Sequence, residues 1–160
     1  MLLEFIKDAI LAAMAAIGFG AISRIPRRAY LWCALIAAIS HSCRFLLMDK
    51  DLGDLHILAA TAIASFLTGI LAVFVSPLAK TPAEAYFFPS LLPMIPGIYA
   101  YKSFGGIVMC ILGESQQHFQ YYFYQFARNG LICFAIILAM VTCATIPIFT
   151  FKTTAFSATR

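Results

Sequence analysis

The stretch LHILAATAIASFLTGILAVFV, residues 55–75, decides the fold class of this chain. Its one ionisable side chain is His56, at the edge of the stretch. An α-helix needs about 20 predominantly apolar residues to cross the roughly 30 Å hydrocarbon core of a bilayer. The stretch has this length, and it lacks the polar–apolar alternation of a barrel strand. It therefore predicts a membrane-spanning helix.

The composition of the whole chain also indicates a lipid environment. Of the 160 residues, 62% are apolar, and only 11 Lys or Arg and 7 Asp or Glu are present. Soluble domains have about 45–50% apolar and roughly 25% charged residues. The net charge of +4 is small and spread out, without the basic stripe that a nucleic-acid partner requires. We predict a single transmembrane domain over residues 1–160, in contact with the lipid bilayer.

Four further apolar segments accompany residues 55–75, and they cover residues 9–22, 29–48, 85–112 and 131–151. The first can extend back to Leu2 if Lys7 and Asp8 lie at the membrane interface. Acidic residues near the N-terminus predict a first membrane helix and not a cleaved leader. Because only helices and closed barrels satisfy their backbone in lipid, the fold class is all-α, a polytopic integral membrane helix bundle. We predict that all five segments cross the membrane. If the second segment is re-entrant, four of them cross it.

Small residues recur four positions apart in the first three segments. This spacing places small side chains on one helix face, where neighbouring backbones can approach closely. Three such stripes in succession predict tight helix packing, within the chain or with a partner. Their members are Ala12, Ala16 and Gly20; Ala34, Ala38 and Ser42; and Ala60, Ala64 and Thr68.

The fourth segment contains three closely spaced prolines, Pro89, Pro93 and Pro96, in FFPSLLPMIPGIYAYK, residues 87–102. Each proline lacks an N–H and frees the carbonyl four residues before it. In hydrocarbon, such backbone is tolerated where it is buried in protein or lines a cavity, as in the broken helices of transporters. We predict a broken helix along a substrate path, with Gly97 at the bend and hydroxyls supplied by Tyr99 and Tyr101. A kinked helix without a ligand is the alternative.

The second segment contains His41 and Arg44, which are three residues apart and therefore neighbours on a helix. Ionisable groups within a membrane segment usually face a cavity or a partner. His41 could carry a coupling proton, and Arg44 could hold a substrate carboxylate in a bidentate manner. Alternatively, Arg44 extends to the interface while His41 bonds a neighbouring carbonyl.

Residues 115–128 show aromatic side chains at helical spacing and predict a separate helix along the membrane interface, or a docking surface. Asn129 is then a plausible N-cap of the last spanning helix.

The cysteines give no sign of metal or redox chemistry. There are five cysteines, an odd number, and no two of them form a CxxC pair. We therefore interpret them as buried small hydrophobic residues. Glu114 and His118 are four apart, but without a third ligand a surface ion pair is the better interpretation. No nucleophile elbow, phosphate-binding loop or HExxH motif is present, so we predict no enzyme activity, catalytic residue, metal or cofactor.

Several local sequences resemble the threonine/serine exporter family, and its short, YjjB-type subunit in particular. They are Ile-Pro-Arg-Arg-Ala (25–29), Trp-Cys-Ala-Leu (32–35), His-Ser-Cys-Arg (41–44) and Pro-Met-Ile-Pro-Gly-Ile-Tyr-Ala-Tyr (93–101). Ile10–Ala13, Asn129 and Ile146-Pro147 also fit, so the resemblance covers nearly the whole chain. Cys43, which precedes Arg44, departs from the small residues usual around the family's histidine.

The resemblance implies a multi-pass exporter of small polar metabolites in the bacterial inner membrane. Short members resemble the C-terminal half of fused exporters and act with a larger membrane subunit. The implied substrates are threonine and serine, or a dicarboxylate such as succinate. The candidate substrate path consists of His41, Arg44, Pro93, Pro96, Gly97, Tyr99, Tyr101 and Asn129. The alternative function is a non-transporting assembly subunit of a membrane complex.

Overall fold

A computed structural model describes residues 2–113, 115–151 and 155, and it is 86% helical. The described residues contain no strand, which confirms the all-α fold class. Within the described residues, six α-helices follow one another: α1 Leu2–Ile22, α2 Tyr30–Met48, α3 Ile57–Ala79, α4 Glu84–Leu91, α5 Gly97–Leu112 and α6 Gln116–Thr150. Short 3₁₀ turns at Arg27–Ala29 and Leu92–Met94 precede α2 and follow α4.

Four of the described helices, α1, α2, α3 and α6, are long and apolar enough to cross a membrane. The broken pair of α4 and α5 makes a fifth span if its two halves are counted together. The choice between four and five spans therefore depends on the fourth segment. The second segment, which was the suggested re-entrant one, forms an uninterrupted helix of spanning length.

The backbone divides into two compact units. The first, termed the main unit, comprises the described residues of Met1–Met94 and Ala139–Arg160, and the second, termed the hairpin unit, comprises those of Ile95–Leu138. The prediction of one domain over residues 1–160 stays a prediction.

Close packing of small residues holds the main unit together. In the three predicted stripes every member except Ala38 is buried, as the spacing indicated. Helix α2 packs against α1, α3 and α4, and its buried residues include Cys33 and Ile36. Gly69 of α3 lies so close to α6 that an added Cβ would overlap the carbonyl oxygen of Ala144.

Helix α6 corrects the prediction for the end of the chain. It runs for 35 residues without interruption, where about 20 suffice for a span. A separate interfacial helix over residues 115–128 is therefore wrong, because helical hydrogen bonding continues through Asn129. The aromatic spacing predicted a helix correctly, but it contained no signal for the position where the helix ends. Asn129 is a buried mid-helix residue and not an N-cap.

The hairpin unit depends on a glycine where α5 meets the first part of α6. A Cβ on Gly106 would lie 2.8 Å from the amide nitrogen of Phe126 and 3.0 Å from the carbonyl oxygen of Tyr122. Nearby, the hydroxyl of Ser103 donates to the carbonyl of Phe126 at 3.0 Å. The two helix backbones therefore touch at Gly106.

Adjacent glycines of α5 should respond oppositely to alanine. We expect Gly106→Ala to lower the free energy of unfolding by about 1–3 kcal/mol, because the new methyl meets backbone atoms that cannot turn away. Gly105 has no neighbour within 4 Å of an added Cβ, so Gly105→Ala should be neutral or stabilise the helix by up to about 1 kcal/mol. Thermal unfolding midpoints in detergent compare the pair, and equal midpoints would contradict the close approach.

Candidate functional site

A cluster of ionisable side chains lies inside the main unit, where α1 packs along α2. The His41 Nδ1 atom is 2.6 Å from a carboxylate oxygen of Asp8, and its Nε2 atom is 2.8 Å from a terminal nitrogen of Arg44. The side chains of His41 and Asp8 are 14% and 25% exposed. The three residues therefore form one hydrogen-bonded chain from α1 to α2.

The chemistry of Arg44 fixes the tautomer of His41. A guanidinium group has only hydrogen-bond donors, so the Nε2 atom of His41 must accept. The proton of a neutral imidazole is then on Nδ1, from which it is donated to the Asp8 carboxylate. A second proton on Nε2 would remove the acceptor that Arg44 uses. Proton binding by His41 and the position of Arg44 are thereby linked.

Arg44 also holds the broken helix. Its other terminal nitrogen donates to the carbonyl of Met94 at 3.0 Å. Met94 is the last residue of the 3₁₀ turn after α4, and Pro96 interrupts the backbone before α5 begins at Gly97. A single guanidinium therefore joins His41 to a carbonyl at the end of the first half of the broken segment.

A cavity of about 320 Å³ adjoins this cluster. This volume is at the lower end of the range for small-molecule sites. The lining residues are Asp8, His41, Arg44, Phe45, Met48 and Asp49. The cavity thus presents two carboxylates, one guanidinium and one imidazole beside apolar side chains.

The structure brings together part of the predicted substrate path. His41 and Arg44 are in direct contact, and Pro93 immediately precedes the Met94 carbonyl that Arg44 binds. The other predicted path residues belong to the hairpin unit: Pro96, Gly97, Tyr99, Tyr101 and Asn129.

Within the hairpin unit these residues differ in their surroundings. Tyr101 is 80% exposed, whereas Tyr99 is half-buried. The Asn129 side-chain amide donates to the backbone carbonyl of Gln125 at 2.7 Å and to its side-chain oxygen at 3.1 Å. Asn129 therefore bonds within its own helix instead of capping it.

Two thiols lie near carbonyls at the proline break, and the Pro96 carbonyl also accepts from the Ala100 amide at 3.2 Å. Pro89 frees the carbonyl of Ala85, as predicted, and the Cys33 thiol of α2 donates to that oxygen at 3.6 Å. In the hairpin unit the Cys133 thiol lies 4.0 Å from the carbonyl of Pro96. The interpretation of the cysteines as buried hydrophobic residues holds fully for Cys33 alone, since the other four are half-buried. All five are free thiols.

The sequence did not predict Asp8 as the partner of His41, because Asp8 was expected at the membrane interface. A usable signal was present, since Asp8 is a charge within an apolar segment, and such charges usually pair. The pairing itself depends on how α1 rotates against α2, which the sequence pattern does not specify.

The suggested Glu114–His118 pair cannot be placed, because Glu114 lies outside the described residues. Among the residues that are described, no three His, Cys, Asp or Glu side chains come together in a group that could hold a metal ion.

Together, the helices and the cluster define a multi-pass membrane protein with a partly buried charged site at the first half of a broken helix. Comparison with known proteins is more specific. A family model described as "Threonine/Serine exporter, ThrE" matches residues 8–146. The chain belongs to this family of membrane exporters, which confirms the resemblance found in the sequence.

One relative is an uncharacterized protein of Haemophilus influenzae, 30% identical over 140 residues. The match covers 87% of this chain but 46% of the relative, so the chain spans about half the length of the curated relative it matches. No solved structure matches the chain.

Proposed function

We propose that this chain is one subunit of a proton-coupled export permease for small zwitterionic amino acids such as threonine and serine, in the bacterial inner membrane. The observation that carries the proposal is the chain of contacts from Asp8 through His41 and Arg44 to the Met94 carbonyl. It connects a titratable group, a carboxylate-binding group and a broken helix beside one cavity. A proton-coupled transporter requires a titratable group, a substrate-binding group and an element that can move.

The charges around the cavity favour an amino acid over a dicarboxylate. Arg44 can bind one carboxylate through its planar fork, and Asp8 or Asp49 can bind an ammonium group. Succinate would bring a second carboxylate towards Asp8 and Asp49, where like charges repel. A zwitterion matches both signs of charge.

Proton coupling follows from competition for Arg44. When His41 is neutral, Arg44 is held between the His41 Nε2 atom and the Met94 carbonyl. A proton on Nε2 turns that acceptor into a donor, so the bond from Arg44 to His41 is lost. Arg44 then becomes available to a substrate carboxylate, and the broken helix is released.

A larger membrane subunit is the proposed partner. The chain has about half the length of this relative, and among the described charged residues only Asp8, Arg44 and Asp49 are not exposed. A complete path for a polar solute needs more polar lining than the described cluster supplies. The second half of such a path would come from a homologous subunit.

Retention of labelled solute tests the proposal. Cells with and without this chain are loaded with labelled threonine or labelled succinate, and efflux is followed. We expect the deletion to slow threonine efflux and to leave succinate efflux unchanged. Collapse of the proton gradient should slow threonine efflux in wild-type cells, and His41→Gln should make the remaining efflux insensitive to that treatment. Equal loss of threonine from both strains would overturn the exporter function, whereas retention of succinate alone would overturn the substrate.

The competing function is that of a non-transporting assembly subunit. It predicts that Arg44→Ala or Pro96→Ala lowers the membrane abundance of the larger partner. The transport function predicts normal partner abundance with lost flux. Partner abundance measured beside efflux in the same cells separates the two.

A further inference from the structure

We propose that the hydroxyls of Ser40 and Thr61 recognise the side-chain hydroxyl of the transported amino acid. The inference rests on the proposed function and assigns substrate selectivity to two residues outside the charged cluster. Both side chains are fully buried in the main unit. Neither hydroxyl has a hydrogen-bond partner within the part of the chain that the structure describes.

Three buried hydroxyls of the main unit lack a partner among the described residues, those of Ser40, Thr61 and Tyr86, and the first two belong to the helices α2 and α3 that meet beside Arg44. Ser65 donates to the carbonyl of Thr61 at 2.6 Å, and Thr68 donates to that of Ala64 at 3.0 Å. Ser76 and Ser90 likewise donate to carbonyls, at 2.8 and 3.0 Å. A buried polar group without a partner costs about 1–3 kcal/mol. A missing ligand is a direct explanation for two such groups.

Their position relates both hydroxyls to Arg44. Ser40 precedes Arg44 by four residues on α2, so the two side chains share one helix face, about 5–6 Å apart at Cβ. Thr61 lies about one turn after the start of α3, and Arg44 lies about one turn before the end of α2. The turn between the helices is closed by a hydrogen bond from the Leu55 amide to the Leu47 carbonyl at 2.9 Å. Because α3 packs against α2, Thr61 and Arg44 lie at a similar depth.

A hydroxy amino acid fits this arrangement chemically. With its carboxylate on Arg44, its side chain extends towards the level of Ser40 and Thr61, where each hydroxyl can donate or accept. Neither Ser40 nor Thr61 lines the cavity of about 320 Å³, so in this proposal the substrate reaches their level only after Arg44 leaves the Met94 carbonyl. A site that hydrogen-bonds a substrate hydroxyl rejects the analogue that lacks it, because its own polar groups are then left unpaired.

The test compares threonine with valine, in which a methyl replaces the hydroxyl at nearly constant shape. Each variant replaces the chromosomal gene. The initial efflux rates of labelled threonine and labelled valine are then measured, and the abundance of the chain in the membrane is determined in the same cells. We expect Ser40→Ala and Thr61→Val each to reduce the threonine-to-valine ratio about 5- to 10-fold, the equivalent of about one hydrogen bond. Ser40→Thr and Thr61→Ser retain a hydroxyl and should retain the ratio even if abundance falls.

Ser65→Ala and Thr68→Val are the matched controls. They remove buried hydroxyls from the same helix bundle, but these hydroxyls already donate to carbonyls, so the ratio should not change. An unchanged ratio in both Ser40→Ala and Thr61→Val, with threonine efflux still dependent on the chain, overturns this inference and leaves the exporter function intact. The same change in all four variants would also overturn it. Absence of chain-dependent threonine efflux in the wild type overturns the proposed function itself.

Discussion

Arg44→Lys is expected to reduce threonine efflux about 10- to 100-fold while the chain remains in the membrane at normal abundance. The guanidinium makes two bonds in different directions, to the His41 Nε2 atom at 2.8 Å and to the Met94 carbonyl at 3.0 Å. Lysine keeps the positive charge but offers a compact ammonium in place of a planar fork. A hydrogen bond to a charged group contributes about 1.5–3 kcal/mol, and each 1.4 kcal/mol corresponds to about tenfold. Initial efflux rates from preloaded cells measure the effect.

Arg27→Lys is the matched control for this substitution. Arg27 is exposed and lies in the 3₁₀ turn before α2, on the same stretch of chain as Arg44 but outside the cluster. We expect wild-type efflux from this variant. If Arg44→Lys cells export threonine at the wild-type rate, the fork geometry is not required, and a transport role for the Met94 contact is wrong.

Gly69→Ala is expected to have the largest effect on stability of the substitutions considered. The added methyl would overlap the carbonyl oxygen of Ala144 and approach the Cγ atom of Pro147 to 3.1 Å. Both neighbours belong to α6 within the main unit, and a backbone carbonyl and a proline ring cannot turn aside as a flexible side chain can. Overpacking of this kind costs about 1–3 kcal/mol and occasionally more. We expect a lower thermal unfolding midpoint in detergent and reduced abundance in the membrane.

Gly18→Ala provides the comparison within a spanning helix. No atom lies within 4 Å of a Cβ added at Gly18, so only helix propensity should change, in favour of alanine by about 1 kcal/mol. The midpoint should be unchanged or slightly raised. A midpoint for Gly69→Ala equal to that of Gly18→Ala would contradict the tight packing of α3 on α6.

Some features of the fold were accessible from the sequence because they depend on local composition. The length and apolar character of residues 55–75 predicted α3, and the prolines at positions 89, 93 and 96 predicted the break between α4 and α5. A missing N–H and a fixed φ act on the residue itself and its near neighbours, whatever surrounds them. The end of α6 could not be predicted in this way. Asn favours an N-cap over a helix interior, so Asn129 pointed to the wrong place, and only the continuous hydrogen bonding of α6 shows that it lies within the helix.

The candidate site could be predicted only in part, because only some of its contacts join residues that are close in sequence. His41 and Arg44 are helical neighbours on α2, and their spacing alone predicted their proximity. The pairing of His41 with Asp8 joins residues 33 positions apart, and that of Arg44 with Met94 joins residues 50 apart. The sequence by itself determined a helical membrane protein with a broken segment and a few internal charges, because hydrophobicity and proline geometry are local properties. Only the tertiary structure decided which charges meet and which buried hydroxyls stay unpaired, because helix rotation and packing bring distant residues together.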